Sequence, residues 1–224
     1  MKKTAARTIL IALLVTVMLA TLAIQALAAD YTNVPDWGVG QYSNAAIPDR
    51  LDGWNAGDKI TREEFAEVIY KAFGNLMKNI APAPDTTFTD TKNPAVLWAC
   101  AAQIIQGVGN NQFNPDALIT RQDIAVMCMR TAMKETIPAY TIKEDGRYTI
   151  VFDDPPAFAD ENNISDYAKT AVHFMTAMDV IHGRGDGIFD PLANATLLET
   201  AVMVTNMAVE FGLIMETLNN TIVK

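Results

Sequence analysis

Hydrophobic positions recur at helical spacing over much of the chain and predict a mainly α-helical fold. One stripe follows the segment "KIT" at 59–61 and consists of Phe65, Ala66, Ile69, Ala72, Phe73 and Leu76. Another consists of Tyr167, Ala171, Phe174, Met178 and Ile181. From about Leu197 to Phe211 nearly every side of the predicted helix is apolar. Apolar and polar residues alternate around Asp145-Gly146, which predicts one β-hairpin over 139–152.

The apolar pattern is part of an internal repeat. Residues 106–128 align without a gap with 182–204, and the shared residues include two loop glycines, a Phe-x-Pro segment and Ala-Val-Met. A shorter copy occupies 54–69, and the upstream segments "FTD" (88–90) and "FAD" (158–160) also correspond. Units of this size cannot bury a hydrophobic face alone and stack on their neighbours. The pattern therefore predicts three helix–loop–helix repeats at 30–78, 88–135 and 158–213.

Each predicted second helix begins after a threonine cap with an acidic residue three positions on, the signature of a capping box. The caps and acids are Thr61 and Glu64, Thr120 and Asp123, and Thr196 and Glu199. The first helical position is Arg62 in copy one and Arg121 in copy two, but Leu197 in copy three. The helix dipole disfavours a cation there by a few tenths of a kcal/mol, up to about 1.

The recurrence of that arginine suggests an anion site. A helix start has N–H groups without intrahelical partners, and a planar guanidinium can bind a carboxylate through two parallel hydrogen bonds. We therefore expect Arg62 and Arg121 to contact a ligand, and their removal to leave the melting temperature unchanged or slightly higher. The alternative is that each arginine is simply solvated. Copy three, with Leu197, is expected to keep the fold without a competent arginine site.

The N-terminal segment resembles a secretory signal peptide. Lys2, Lys3 and Arg7 precede an apolar run from Ile9 to about Ala23, and a small-x-small site ends at Ala28. An uncleaved membrane anchor is the alternative, but the run is shorter than the ~20 residues that a spanning helix needs. Removing residues 1–28, which carry three basic side chains and no acidic one, changes the net charge from −9 to −12.

Composition excludes several functions. So acidic a chain is a poor ligand for nucleic acid or for anionic lipid, and at 50% hydrophobic residues it is too apolar to be disordered. The two histidines and two cysteines show no metal-ligand spacing, and we expect no cofactor and no metal. No nucleophile–base arrangement is recognisable, so no catalytic residue is assigned and the protein is not expected to be an enzyme. Counting acidic residues does not by itself exclude a two-carboxylate glycosidase.

The order F-x-D, helix, G-x-G, F-x-P and then T-R-x-[D/E] resembles the S-layer homology repeat of bacterial cell-surface proteins. The resemblance is best in copy two, good in copy three and limited mainly to the second half of copy one. It implies a pseudo-threefold arrangement of helices with grooves between the repeats. It also implies that those grooves bind a pyruvylated secondary cell-wall polysaccharide attached to peptidoglycan, which would fix the protein non-covalently to the wall after secretion.

The resemblance also implies a set of binding residues. The family's arginine corresponds to Arg62 and Arg121, capped by Thr61 and Thr120. The acidic and aromatic residues that open a repeat correspond to Asp36, Trp37, Asp160 and Tyr167. Other surface proteins are a further class of partner. The alternative is a secreted helical module that binds proteins at the cell surface and no glycan.

Overall fold

The structure is a computed structural model that describes residues 51, 54–136, 140–142 and 152–222. These residues form five α-helices: α1 (Arg62–Phe73), α2 (Pro94–Ala101), α3 (Arg121–Thr136), α4 (Asp166–Ala177) and α5 (Leu197–Ile222). A 3₁₀ turn at Glu161–Asn163 precedes α4. In the same residues, extended pairing is limited to isolated bridges. The prediction of a mainly α-helical fold is confirmed.

Helices α1, α3 and α5 begin directly after the predicted threonine caps. In α1 the Thr61 hydroxyl accepts the N–H of Glu64 at 3.2 Å, and the Glu64 carboxylate accepts the N–H of Thr61 at 2.7 Å. The start of α5 has the same reciprocal pair, at 3.1 and 2.9 Å. The shorter side chain of Asp123 accepts the Thr120 hydroxyl at 2.6 Å instead. This difference of one methylene affects the functional site described below.

Ser165, a residue type that commonly caps helices, stands at the cap position of α4, but its side chain does not cap that helix. Its hydroxyl accepts the side-chain amide of Gln122 at 3.1 Å, and its N–H donates to the Gln122 carbonyl oxygen at 3.0 Å. Ser165 therefore ties the start of α4 to the start of α3. Accordingly, α3 packs mainly on α4 and α1 mainly on α2, so the closest helix pairs cross the predicted repeat boundaries.

The three segments before α1, α3 and α5 meet at a pseudo-threefold axis. The N–H of Ile60 donates to the carbonyl of Ala195, that of Ala195 to Ile119, and that of Ile119 to Ile60, at 3.3, 2.9 and 3.1 Å. All three side chains are fully buried. This closed ring of hydrogen bonds makes the three segments interdependent, because each one completes the pairing of the next.

The ring continues into the helix starts. The first two N–H groups of α1 donate to the carbonyls of Ala117 and Pro115 in the loop of repeat 2. Those of α3 donate to the corresponding loop of repeat 3, and those of α5 to Asp58 and Ala56 in repeat 1. Donors that an isolated helix leaves without a partner are therefore bonded between repeats.

The glycine loops adopt the same backbone conformation in repeats 2 and 3. Gly109 and Gly185 have φ values of 107° and 103°, and Asn114 and Asp190 have values of 60° and 58°. Asparagine, aspartate and glycine tolerate this left-handed region better than other residues. Gly107 is required for a different reason, because a Cβ there would lie 2.6 Å from the carbonyl oxygen of Gln112.

The core contains several residues that the pattern predicted to be buried. Trp98 is a core side chain, in contact with Tyr70 at a ring-centroid distance of 5.2 Å. The two cysteines are unpaired, and burial raises the pKa of Cys128 to about 12. Among the described residues, no group of His, Cys, Asp and Glu side chains is suited to hold a metal ion, and no helix is long and apolar enough to cross a membrane.

Three predictions lie outside the described residues. They are the signal peptide at 1–28, the first half of repeat 1 and most of the hairpin at 139–152. Each of them stays a prediction.

Candidate functional site

The two arginines at the first helical position reach across to the glycine loop of the next repeat. The Nε of Arg62 donates to the carbonyl of Phe113 and its Nη2 to that of Gln106, both at 3.0 Å, and the guanidinium lies 4.7 Å from the Phe113 ring centre. Arg121 makes the same contacts with repeat 3, at 2.8, 2.9 and 5.0 Å. Each arginine therefore cross-links two repeats, which explains a cation at a place that the dipole disfavours.

These contacts change two expectations about the arginines. Neither side chain is simply solvated, since Arg62 is partly buried and Arg121 is only 2% exposed. The N–H groups at the helix starts are also not available to an anion, because the next repeat's carbonyls accept them. An anion that approached either helix would meet side chains rather than backbone donors.

The group around Arg121, here named the Arg121 groove, consists of Arg121, Arg184, Asp190 and Glu199. The Nη1 of Arg121 donates to the Glu199 carboxylate at 2.8 Å. Arg184 binds the same carboxylate through two nitrogens, at 2.8 and 3.0 Å, and also pairs with Asp190. Two cations therefore face two carboxylates, and the charges balance.

The pKa values follow from this pairing. Burial would raise the pKa of Glu199, but the N–H of Thr196 and the two arginines outweigh it, and the pKa lies below its usual value. Burial lowers the pKa of Arg121, and Glu199 opposes that effect. Arginine stays charged in proteins, so the pair is ionic at neutral pH.

The group around Arg62, named the Arg62 groove, consists of Arg62, Gln122, Asp123 and Tyr167. The Tyr167 hydroxyl donates to Asp123 at 2.7 Å and accepts the Gln122 amide at 3.1 Å. Within the described part of the chain, Nη1 of Arg62 makes no hydrogen bond and no carboxylate forms an ion pair with this arginine. Burial lowers the pKa of Arg62, whereas Asp123 and Tyr167 act in the opposite direction, so both lie within electrostatic reach.

Leu197 takes the arginine's place at the start of α5, as the repeat alignment predicted. Its side chain is fully buried, and its N–H donates to the carbonyl of Asp58. Beside α1, the carboxylates of Glu63 and Glu67 accept hydrogen bonds from Thr91 and Asn93. The start of α5 therefore has no arginine, and the two acids lie beside α1.

The predicted binding residues lie in different parts of the structure. Thr120 and Tyr167 both donate to Asp123, whose charge opposes the lowering of the Arg62 pKa by burial, and Thr61 lies at the N-cap of the helix that carries Arg62. Asp160 holds the loop next to the Arg121 groove, because its carboxylate accepts the backbone N–H groups of Phe189 and Asp190 at 2.8 and 2.7 Å. Asp36 and Trp37 lie outside the described residues.

Five residues of the two grooves were not predicted as site residues: Gln122, Asp123, Arg184, Asp190 and Glu199. The sequence indicates Asp123 and Glu199 only as the acids of capping boxes. The repeat alignment already shows that the two residues occupy equivalent positions. Arg184 lies in an Arg-Gly-Asp tripeptide of the glycine loop, and its pairing with Glu199 is a contact over 15 residues. Only the fold shows that this arginine is consumed internally.

Comparison with known proteins identifies the repeats. The family model of the S-layer homology domain matches residues 87–125 and 157–201, the predicted second and third repeats. Two segments of the chain therefore match the S-layer homology domain. Domains of this family are binding modules known for anchoring proteins to the cell wall, and the two matches indicate association with the cell surface or wall.

Three relatives were found among characterised proteins. The chain is 28% identical over 153 residues to an endoglucanase of Bacillus sp. strain KSM-635, covering 67% of this chain and 15% of that protein. It is 30% identical over 150 residues to exoglucanase XynX of Acetivibrio thermocellus, covering 65% and 12%. It is 28% identical over 158 residues to an amylopullulanase of Thermoanaerobacterium thermosulfurigenes, covering 68% and 8%. The chain thus spans less than a sixth of each relative.

Proposed function

We propose that this protein binds an anionic, pyruvylated secondary cell-wall polysaccharide in its inter-repeat grooves and is thereby fixed non-covalently to the wall. The observation that carries the proposal is the Arg62 groove, where the guanidinium has no ion-pair partner among the described residues and where Tyr167, which hydrogen-bonds Asp123 and Gln122, is 60% exposed. A pyruvyl ketal supplies a carboxylate for the guanidinium. The sugar ring beside it supplies an apolar face for the aromatic ring.

The charge of the chain supports a local contact rather than bulk attraction. At a net charge of −9, and more negative without the leader, the protein repels a polyanion as a whole. Binding must therefore depend on a few charge-assisted hydrogen bonds, each contributing about 1.5–3 kcal/mol.

We further propose that the protein acts without catalysis, cofactor or metal, and that it is secreted and resides at the wall. The conspicuous acidic residues of the described grooves are consumed as caps or ion-pair partners: Asp123, Asp160, Asp190 and Glu199. A paired, hydrogen-bonded carboxylate is a poor general acid at neutral pH. The activities named for the three relatives belong to proteins that are more than six times longer than the matched segment.

The test is sedimentation with purified cell-wall sacculi. We expect the protein to pellet with sacculi that retain their polysaccharide and to stay in solution with sacculi stripped of it. Mild acid, which hydrolyses the pyruvyl ketal, should abolish pelleting while the polysaccharide remains attached. Pelleting that does not depend on the polysaccharide would refute the proposal, and release of sugar would show an enzyme.

A second candidate is a module that binds other surface proteins. It is favoured by large apolar side chains that are exposed on the loops, namely Val108, Leu118 and Leu192. The sedimentation assay separates the two candidates, because a protein partner in the wall would cause pelleting after the polysaccharide has been removed. Extraction of wall proteins before the assay would then abolish it.

A further inference from the structure

Gln122, the second residue of α3, is a buried side chain whose hydrogen bonds all go to the start of α4. Its Oε1 accepts the N–H of Ser165 at 3.0 Å, and its Nε2 donates to the hydroxyls of Ser165 and Tyr167, both at 3.1 Å. Gln122 is only 4% exposed. A buried amide needs partners for its oxygen and its N–H groups, and this one finds all of them on α4.

These contacts also determine how the Tyr167 hydroxyl is used. Only the amide oxygen of Gln122 can accept the Ser165 N–H, so Nε2 is the atom that lies beside Tyr167. The Tyr167 oxygen therefore accepts a hydrogen bond from Gln122, and its own proton goes to Asp123 at 2.7 Å. Asp123 also accepts the Thr120 hydroxyl at 2.6 Å. The phenol is thus held at its hydroxyl end by two residues of α3.

The ring of Tyr167 stays accessible although its hydroxyl is engaged. Tyr167 is 60% exposed, and its hydroxyl already has a donor and an acceptor, so it offers a ligand mainly a flat apolar face. Aromatic rings of this kind supply a large contact area. An exposed side chain that is immobilised only on binding weakens binding by about two- to tenfold. The contacts at the hydroxyl remove that cost in advance.

We propose that Gln122 is a positioning residue for the wall polysaccharide, and that it fixes the Tyr167 ring in the orientation that receives a sugar ring. The inference rests on the proposed function and adds a residue and a kind of contact to it. Gln122 is too deeply buried to contact the ligand itself. The contact that it prepares is uncharged, so the ligand must present an apolar sugar face beside its anionic group.

The equivalent junction between α1 and α2 lacks this arrangement. Glu63 takes the place of Gln122 there and accepts the Thr91 hydroxyl at 3.1 Å. The second residue of α2 is buried Ala95, whereas the second residue of α4 is exposed Tyr167. That junction therefore ties two helices together in a similar way but has no aromatic residue at that position. It provides a control in which a helix junction is loosened and no ring is affected.

The test measures affinity for sacculi that retain their polysaccharide, from the protein left in solution as the amount of sacculi is varied. Gln122→Met keeps the length of the side chain but cannot hold the hydroxyl, and we expect it to bind about two- to tenfold more weakly. Tyr167→Phe keeps the ring and the contacts between Gln122 and Ser165, and we expect a similar loss. Because Tyr167 is exposed, this variant should fold even where Gln122→Met does not. Thr91→Val should bind as wild type does.

A double variant distinguishes a positioning role from a structural one. Tyr167→Leu removes the ring that Gln122 orients, so adding Gln122→Met to it should weaken binding no further. A structural Gln122 would weaken binding by the same factor whether or not the ring is present. Melting temperatures of all variants show whether each is folded at the assay temperature.

The outcomes separate the inference from the proposed function. Wild-type affinity in Tyr167→Phe, or an equal loss on Gln122→Met with and without the ring, would overturn the inference and leave the proposed function standing. A similar loss in Thr91→Val would also overturn it, because loosening any helix junction would then be sufficient. Pelleting of the wild type that ignores the polysaccharide would overturn both.

Discussion

Replacing Arg121 by methionine should strongly destabilise the protein, the opposite of what its position at a helix start suggests. The change removes three hydrogen bonds, to Glu199 and to two loop carbonyls, and leaves the Glu199 carboxylate with Arg184 as its remaining cationic partner. A lost hydrogen bond that leaves a buried acceptor without its donor costs about 1–3 kcal/mol, so a total of about 3–5 kcal/mol is expected. The gain from removing a cation at the helix dipole is at most about 1 kcal/mol, so the loss dominates.

The matching change at Arg62 should have a smaller effect. Arg62 is partly exposed and makes two hydrogen bonds to carbonyls without an ion pair, so Arg62→Met should lose about 1–3 kcal/mol. Leu197→Met, at the equivalent position of repeat 3, conserves volume and should lose less than about 1.5 kcal/mol. We expect Arg121→Met to destabilise the protein more than Arg62→Met does, and Arg62→Met to destabilise it at least as much as Leu197→Met does. This order of the three variants is what the measurement checks.

The assay is urea unfolding followed by circular dichroism, together with thermal melts. For a domain of this size about 1 kcal/mol corresponds to roughly 2–4 °C, so Arg121→Met should lower the melting temperature by roughly 6–20 °C. A melting temperature within about 2 °C of wild type, or above it, would refute the reasoning. It would mean that the Arg121–Glu199 pair contributes no more than an exposed ion pair does.

Three other changes have defined outcomes. Gly107→Ala should destabilise by about 1–3 kcal/mol in urea unfolding, because its Cβ meets the Gln112 carbonyl at 2.6 Å, whereas Gly57→Ala, with no atom within 4 Å, should be near neutral. The pKa of Glu199 is lowered in the folded protein, so its ion pairs stabilise the fold at pH values above the usual glutamate value of about 4.3, and this stabilisation is lost as the pH falls through the lower folded value. The free energy of unfolding should therefore be smaller at pH 3 than at pH 6. This difference between the two pH values should be smaller in Arg121→Met. Cys128, buried with a pKa of about 12, should react with iodoacetamide much more slowly than partly exposed Cys100 in the native protein, and equally fast in urea.

Local sequence chemistry predicted the elements well. The threonine caps placed the starts of α1, α3 and α5 at Arg62, Arg121 and Leu197, where the helices begin. Caps act within three residues, so they can be recognised without knowledge of the fold. The same holds for Gly107 and Gly109, since a tight turn restricts side chains wherever it occurs. Ser165 shows the limit of this approach, because its hydroxyl binds Gln122 of another helix rather than its own.

The sequence by itself determined the repeat, the helix starts, the glycine loops and the family, because each of these depends on residue types at fixed short spacings. The tertiary structure alone decided what the arginines do. Their partners lie 44 to 78 residues away, and most of those partners are backbone carbonyls, which every residue has and no sequence pattern marks. The difference between Asp123 and Glu199 was visible in the alignment, but its consequence depends on a distance of 2.8 Å that only the closed threefold arrangement creates.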